Sequence, residues 1–253
     1  MSIGALRSEH SSSKVKIVIN FFLAGLFLLP GALFLESPSS ALGMAGGASA
    51  LIGVGLIVMT YRRNIGKSIK IYEEGVEIPG KGQFRFDSID AIYIQAGRTT
   101  GSSGRSNYIL KSFQFLSKGE KQFAIGPVFM NWITIGNEIE HEVTRRMLPK
   151  LMDQVRRGHE ITFDDLRTAS FARPIKWKVS LQGFIENDHA PIAWEKIKAI
   201  RTDDIDAGVM RVHLRDNKVG AAVLLYGSKN VNAMLGLMKL LLNRDEARAK
   251  GNS

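Results

Sequence analysis

Two stretches of the chain are apolar on every side. Residues 15–35 read VKIVINFFLAGLFLLPGALFL, charged only at Lys16; residues 41–61 read ALGMAGGASALIGVGLIVMTY and carry no charge. Each is about 20 residues long, the length a helix needs to cross a hydrocarbon core of roughly 30 Å. A core helix of a globular domain normally shows a polar stripe, which both runs lack. As a cleaved signal, the first run would be long. Only residues 36–40 lie between the runs, so the pattern predicts an antiparallel transmembrane hairpin. Pro30 is placed to kink its first helix. Gly43 and Gly47 are four apart, as are Ala45, Ser49 and Gly53. That spacing lets helix backbones approach closely, either within the hairpin or in a homodimer through those five residues.

Beyond residue 66 the pattern turns to short alternations. Ile69 and Ile71 alternate with polar residues, Gly75 marks a turn, and Pro79-Gly-Lys-Gly82 is turn chemistry between strands. Further strands are expected at residues 84–86, 91–94 and 113–115. A second series follows near residues 175–181, 184–186, 192–194, 197–202, 210–214 and 221–225. The two series are copies. Gly75 aligns with Gly183, Phe86 with Trp194, Ile89 with Ile197, and Ala91-Ile92 with Ala199-Ile200, all at an offset of 108. Duplication of this kind takes precedence over other evidence on fold.

Each copy closes with an amphipathic helix. Trp132, Ile135, Ile139, Val143, Met147, Leu151 and Val155 recur at helical steps, as do Val231, Met234, Leu235, Met238, Leu241 and Leu242. Asn131 and Asn230 stand before the two helices as candidate caps. Their offset is 99, so the first copy holds about nine extra residues. Residues 97–107, GRTTGSSGRSN, are expected to supply them as a flexible loop. Pro149 should bend the first helix, and Gly158 reads as its C′ stop. The organisation is a tail at 1–14, a hairpin at 15–61, domains at 66–157 and 158–247, and a tail at 248–253.

Charge adds an orientation. Arg7, Lys14 and Lys16 precede the hairpin; Arg62, Arg63, Lys67 and Lys70 follow it; the connection holds no Lys or Arg. The positive-inside rule puts both ends and the domains on the cytoplasmic face of a cell membrane. The net charge of +10 over 253 residues comes without a basic stripe interleaved with aromatics, so nucleic acid is not an expected partner. Cysteine is absent, which excludes disulfides and thiolate metal sites.

Six or seven strands and a closing helix in roughly 90 residues resemble the pleckstrin-homology (PH) superfold. The resemblance rests on the strand–Gly75–strand start, on Phe86-Asp87-Ser88-Ile89 opening the next strand, on its counterpart Trp194-Glu195-Lys196-Ile197, and on the final helices. The arrangement is similar to that of an uncharacterised family in which a membrane hairpin precedes PH-like modules. It implies a membrane-anchored α+β fold: a hairpin followed by two PH-like barrels. PH domains that grip phosphoinositides place cations in the first strand–strand loop. Here that loop offers Lys81 and, beyond it, Arg85, whereas residues 187–190 of the second copy hold no Lys or Arg.

No catalytic set emerges. The five histidines lack metal-ligand spacing, and no Walker, Rossmann or G-x-S-x-G motif is present. Glu138, Glu140, His141 and Glu142 read as a solvated helix face, and Asp203, Asp204 and Asp206 as a charged turn. The expectation is a non-enzymatic integral membrane protein, with no cofactor, no metal and no catalytic residue, docking a protein partner; an enzyme whose site is assembled from scattered residues is the remote alternative. Arg98 and Arg105 mark the candidate partner loop. Arg62, Arg63, Lys67, Lys70, Lys81 and Arg85 are candidate contacts to the lipid bilayer, and anionic lipid is the alternative ligand.

Overall fold

The computed structural model describes residues 3–11, 14–34, 41–64, 68–100, 106–117, 122–164, 176–187, 189–204, 209–224 and 227–251. The chain divides into two compact units, one of Met1–Gln83 with Gly126–Ile135, the other of Phe84–Ile125 with Gly136–Ser253.

In the first unit, strand β1 (Leu6–Ser11) is followed by helices α1 (Lys14–Phe34) and α2 (Ala41–Asn64), then by β2 (Ser68–Tyr72) and β3 (Gly75–Ile78). β1 pairs antiparallel with β2, Glu9 opposite Lys70, and β2 with β3, Lys70 opposite Glu77. Ile69, Ile71, Val76 and Ile78 are buried, as the period of two demands. Glu73 N and Glu74 N donate to Ala5 O and Ile3 O, at 3.0 and 3.1 Å. Residues 1–14 are therefore not simply a tail. The hairpin leaves one strand and returns to its neighbour, an insertion within a sheet rather than a segment preceding it. β1 escaped notice because it is a polar edge strand, charged where edges usually are.

The transmembrane expectation is overturned. Among the described residues no helix is long and apolar enough to cross a membrane. The two-span reading goes with it, and so does the cytoplasmic placement, which rested on two spans. α1 and α2 do form a close pair. Ser49 Oγ donates to Phe27 O at 2.7 Å. A Cβ on Gly53 would lie 2.7 Å from Leu28 Cγ and 3.0 Å from Ala24 O, so its absence sets the approach. Gly47 has open space instead, and Gly43 is described only as part of α2. Val18, Phe22, Leu29, Met44 and Leu51 point outward.

β4 (Gly82–Arg85) completes the sheet order β1-β2-β3-β4 and leads into a 3-10 turn at Phe86–Ser88. β5 (Ile89–Thr100), β6 (Ser106–Ser117) and β7 (Gln122–Ile125) form a second antiparallel sheet, and α3 (Trp132–Arg156) follows. The sequence of elements then repeats. β8 (Ile161–Asp164), β9 (Lys176–Val179), β10 (Gly183–Glu186) and β11 (Ile192–Ala193) make a sheet ordered β11-β10-β9-β8. A 3-10 turn at Trp194–Lys196, a sheet of β12 (Ile197–Asp204), β13 (Val209–Leu214) and β14 (Val219–Leu224), and α4 (Val231–Gly251) complete it. The described fold is α+β, with four helices and four small antiparallel sheets. The repeat extends to dihedral angles. Arg85 and Ile89 flank the first 3-10 turn at φ/ψ −77/140 and −82/118; Ala193 and Ile197 flank the second at −62/144 and −82/124.

Each repeat fills its interior with aromatics in its own way. Phe115 stacks on Phe123 at 4.8 Å, and Phe84 tilts against Phe123 at 4.5 Å. In the second repeat Trp177 stacks on Phe184 at 5.4 Å, and Trp194 Nε1 donates to Ser180 O at 3.0 Å. Gly183, which aligns with Gly75, explains itself: a Cβ there would run into the β11 backbone at Ile192. The core of the second repeat joins Trp177, Phe184, Met210 and Val212 to Met234, Leu237, Met238 and Leu241 of α4.

Helix ends follow the chemistry of the sequence at one position and depart from it at another. α3 runs through Pro149 and stops at Gly158, which has φ +87. Gly158 N donates to Val155 O and His159 N to Gln154 O, both at 3.0 Å, a complete Schellman motif. Asn131 and Asn230 stand before the helices at φ 54 and 52, left-handed rather than the extended backbone of an ordinary N-cap. Residues 97–107 are not a loop throughout. Gly97 pairs with Ile109, Arg98 with Tyr108, Thr99 with Asn107 and Thr100 with Ser106. The extra residues mostly lengthen a hairpin, because Thr, Tyr and Ile favour strand; residues 101–105, Arg105 included, lie outside the described residues.

A charged groove against helix α3

Within the second unit, helix α3 sets one face against the 3-10 turn at Phe86 and the start of β5. The helix stripe Val143, Met147 and Leu151 supplies apolar wall, joined by Phe86, Ile89 and Phe163. One residue earlier in each turn, Arg146 and Lys150 supply charge. The groove so formed has a volume of about 280 Å³, and Asp87, Asp90, Gln154 and Lys229 complete its polar border.

Asp87 organises that border. Arg146 Nη1 and Lys150 Nζ each lie 3.3 Å from one of its carboxylate oxygens. Burial alone would raise the Asp87 carboxyl; the hydrogen bond and charge of Lys150, joined by Arg146, outweigh it and hold the group below its ordinary value. Arg146 also lies over the Phe86 ring, 5.4 Å from its centroid. The aromatic and the acid of one motif thus meet the same guanidinium. Arg146 further approaches Glu142, whose carboxylate accepts from Arg145 at 2.8 Å.

Lys229 and Asn230 come from the second repeat. Asn230 N donates to Ile92 O at 2.9 Å, and Asn230 Oδ1 accepts from Ile92 N at 2.7 Å. Asn230 Nδ2 donates to Asp90 O at 2.9 Å, and Gly227 N to Ile94 O at 2.9 Å. The segment before α4 therefore lies along the edge of β5 as a short added strand.

The cations singled out in the sequence belong to separate elements. Arg62 and Arg63 fall in the last turn of α2, and Lys67 lies outside the described residues. Lys70, in β2, stands between Glu9 and Glu77 across its two neighbouring strands. Lys81 occupies the exposed turn before β4, and Arg85 ends β4. Arg98 sits in the β5–β6 ladder. None of them lines the groove. The residues that do were overlooked for a simple reason: Arg146, Lys150 and Gln154 sit one position off the apolar stripe and read as solvent-facing. Glu140 and Glu142 are not a solvated face either. Glu142 is 9% exposed. Burial raises the Glu140 carboxyl against the opposing hydrogen bonds of Thr144 and Asn232. The turn at residues 205–208 lies outside the described residues.

No curated protein and no solved structure matches the chain. A family model does, over residues 1–232. The chain belongs to the family of unknown function DUF6585.

Proposed function

We propose that the protein is a non-enzymatic docking protein whose tandem PH-like domains, over residues 66–157 and 158–247, receive a protein partner. Support for the PH-like reading comes from the element count. Among the described residues, six strands and one helix fall within residues 66–157, with β1 of residues 6–11 adding a fourth strand to the first sheet, and seven strands and one helix within the second domain.

The groove against α3 carries the docking reading. Phe86, Val143, Met147 and Leu151 offer an apolar floor, and Asp87, Asp90, Lys150 and Lys229 a border of both signs. Such a site suits a bulky apolar side chain anchored inside a ring of charge, the usual construction of a binding hot spot. A photo-reactive residue at Gln154, on the exposed border, should cross-link one dominant protein in cells. Met147→Trp, which fills the groove, should abolish that product with the fold intact. A product that persists undiminished with the groove filled would refute docking there.

A further inference from the structure

The outer face of the β12–β13 hairpin holds a second cavity, of about 190 Å³, lined by Lys198, Ala199, Arg201, His213, Leu214 and Asn217. Among the described residues its lining contains two cations and an imidazole and no carboxylate. The strands are irregular where it lies. The register slips between Ile197 and Ala199, and again between Val212 and His213. A bulge re-aims the extra residue, which is how consecutive residues Lys198 and Ala199 both line one cavity. Lys198 Nζ donates to Asn217 Oδ1 at 2.9 Å, an arrangement that steadies the ammonium at the rim.

A second observation points the same way. Arg201 stands directly opposite Arg211 across the two strands. Like charges in that position destabilise a sheet, and an anion placed between them relieves the repulsion. The nearest acid of the following turn, Asp216, is held by Lys218 at 3.3 Å and by the Lys218 N–H. The inner face of the same strands is core, with Ile197, Met210 and Val212 fully buried, so the cations are held on a rigid base.

We propose that this cavity binds a phosphate group, gripped by Lys198, Arg201 and His213. Guanidinium and ammonium groups suit a phosphate dianion, Arg through paired N–H donors and Lys as a point charge. The volume admits a phosphate with a small body attached and falls short of the roughly 300–1,000 Å³ of sites for larger ligands. The site lies outside the groove against α3 and does not depend on the docking reading.

The test uses the full-length, isotope-labelled protein titrated with inorganic phosphate at constant ionic strength. Amide resonances of residues 197–201 and 211–217 should shift saturably, and the melting temperature should rise with phosphate. The double variant K198Q/R201Q should bind on the order of a hundredfold more weakly, since each of the two charge-assisted contacts removed is worth about tenfold. Lys239→Gln, on exposed α4 surface, should bind as wild type does. A second arm adds phosphatidylcholine vesicles with and without phosphatidic acid. Competition with inorganic phosphate by the acidic vesicles alone would identify a lipid headgroup as the source; no competition would identify a soluble phosphate compound. The proposal is overturned if wild type shows no saturable shift at these residues, or if K198Q/R201Q binds phosphate undiminished.

Discussion

Asn230 grips Ile92 from both sides of one residue, its backbone N–H donating to the Ile92 carbonyl and its side-chain oxygen accepting from the Ile92 N–H. This double hydrogen bond copies a β-ladder pair with a single amino acid. It turns the approach to α4 into an edge for β5 and sets Lys229 at the groove. The left-handed backbone at φ 52 makes the copy possible, because it swings the carboxamide back alongside its own N–H.

Substitution at Asn230 separates these contributions. Asn230→Gly accepts the backbone angle and loses only the side chain, including its bond to Asp90 O. About 0.5–1.5 kcal/mol of stability should go with it, because the bonds lost are to one part-buried and one exposed backbone group. Asn230→Ala should lose roughly 1–2 kcal/mol more, from strain at positive φ. Urea denaturation with an unchanged slope measures both. A glycine variant as stable as wild type would show that the bridge contributes nothing.

Asp87 should confer an acid-sensitive stability. Its folded value is lowered by Lys150 and Arg146, so the stabilisation is fully present above the ordinary carboxylate value of about 4 and disappears as pH falls through the lowered value. Wild type should exceed Asp87→Asn by at most about 1 kcal/mol at pH 6, since the group is 43% exposed and solvent screens it. The difference should close in strong acid and shrink in high salt. A gap that stays constant across that range would assign the effect to packing.

Glu140 predicts the opposite slope. Burial raises its carboxyl, so the folded state prefers the protonated form. Stability on this account is full below the ordinary value of about 4.3 and is lost as pH rises through the raised folded value. Glu140→Gln cannot ionise, and its amide oxygen can still accept from Thr144, as Glu140 Oε1 does at 2.9 Å. Melting curves should therefore favour the variant at pH 7 relative to pH 4. A variant less stable than wild type at pH 7 by as much as at pH 4 would sink this assignment.

What sequence can disclose depends on how local the cause is. The offset of 108 led directly to matching 3-10 turns, because Phe86-Asp-Ser-Ile89 and Trp194-Glu-Lys-Ile197 each carry their own steric instructions. The Schellman stop at Gly158 is similarly local. β1 was hidden because its partner, β2, lies on the far side of the whole hairpin, and no window of residues contains both. The groove was hidden for the same reason: Asp87 meets Arg146 and Lys150 only across 59 and 63 residues of chain. The hairpin pattern misled in a different way. Apolarity on all sides specifies a helix that avoids water, and leaves open what covers it.

Gly136 offers a test in which local propensity and packing give opposite signs. It lies inside α3, where replacing glycine by alanine normally stabilises by up to about 1 kcal/mol. Here a Cβ would overlap the Phe113 ring, which is fully buried and stacked near Phe115 at 6.4 Å. A ring so enclosed cannot withdraw without disturbing its neighbour, so overpacking should prevail and Gly136→Ala should lose about 1–3 kcal/mol. Phe113→Leu alone should also destabilise, by leaving a void. The two together should cost less than their sum, because the smaller side chain makes room for the added methyl. A double-mutant cycle by urea denaturation reads the coupling directly. Strict additivity, or a stabilised Gly136→Ala, would mean that helix and strand can separate at this contact more easily than the burial of Phe113 implies.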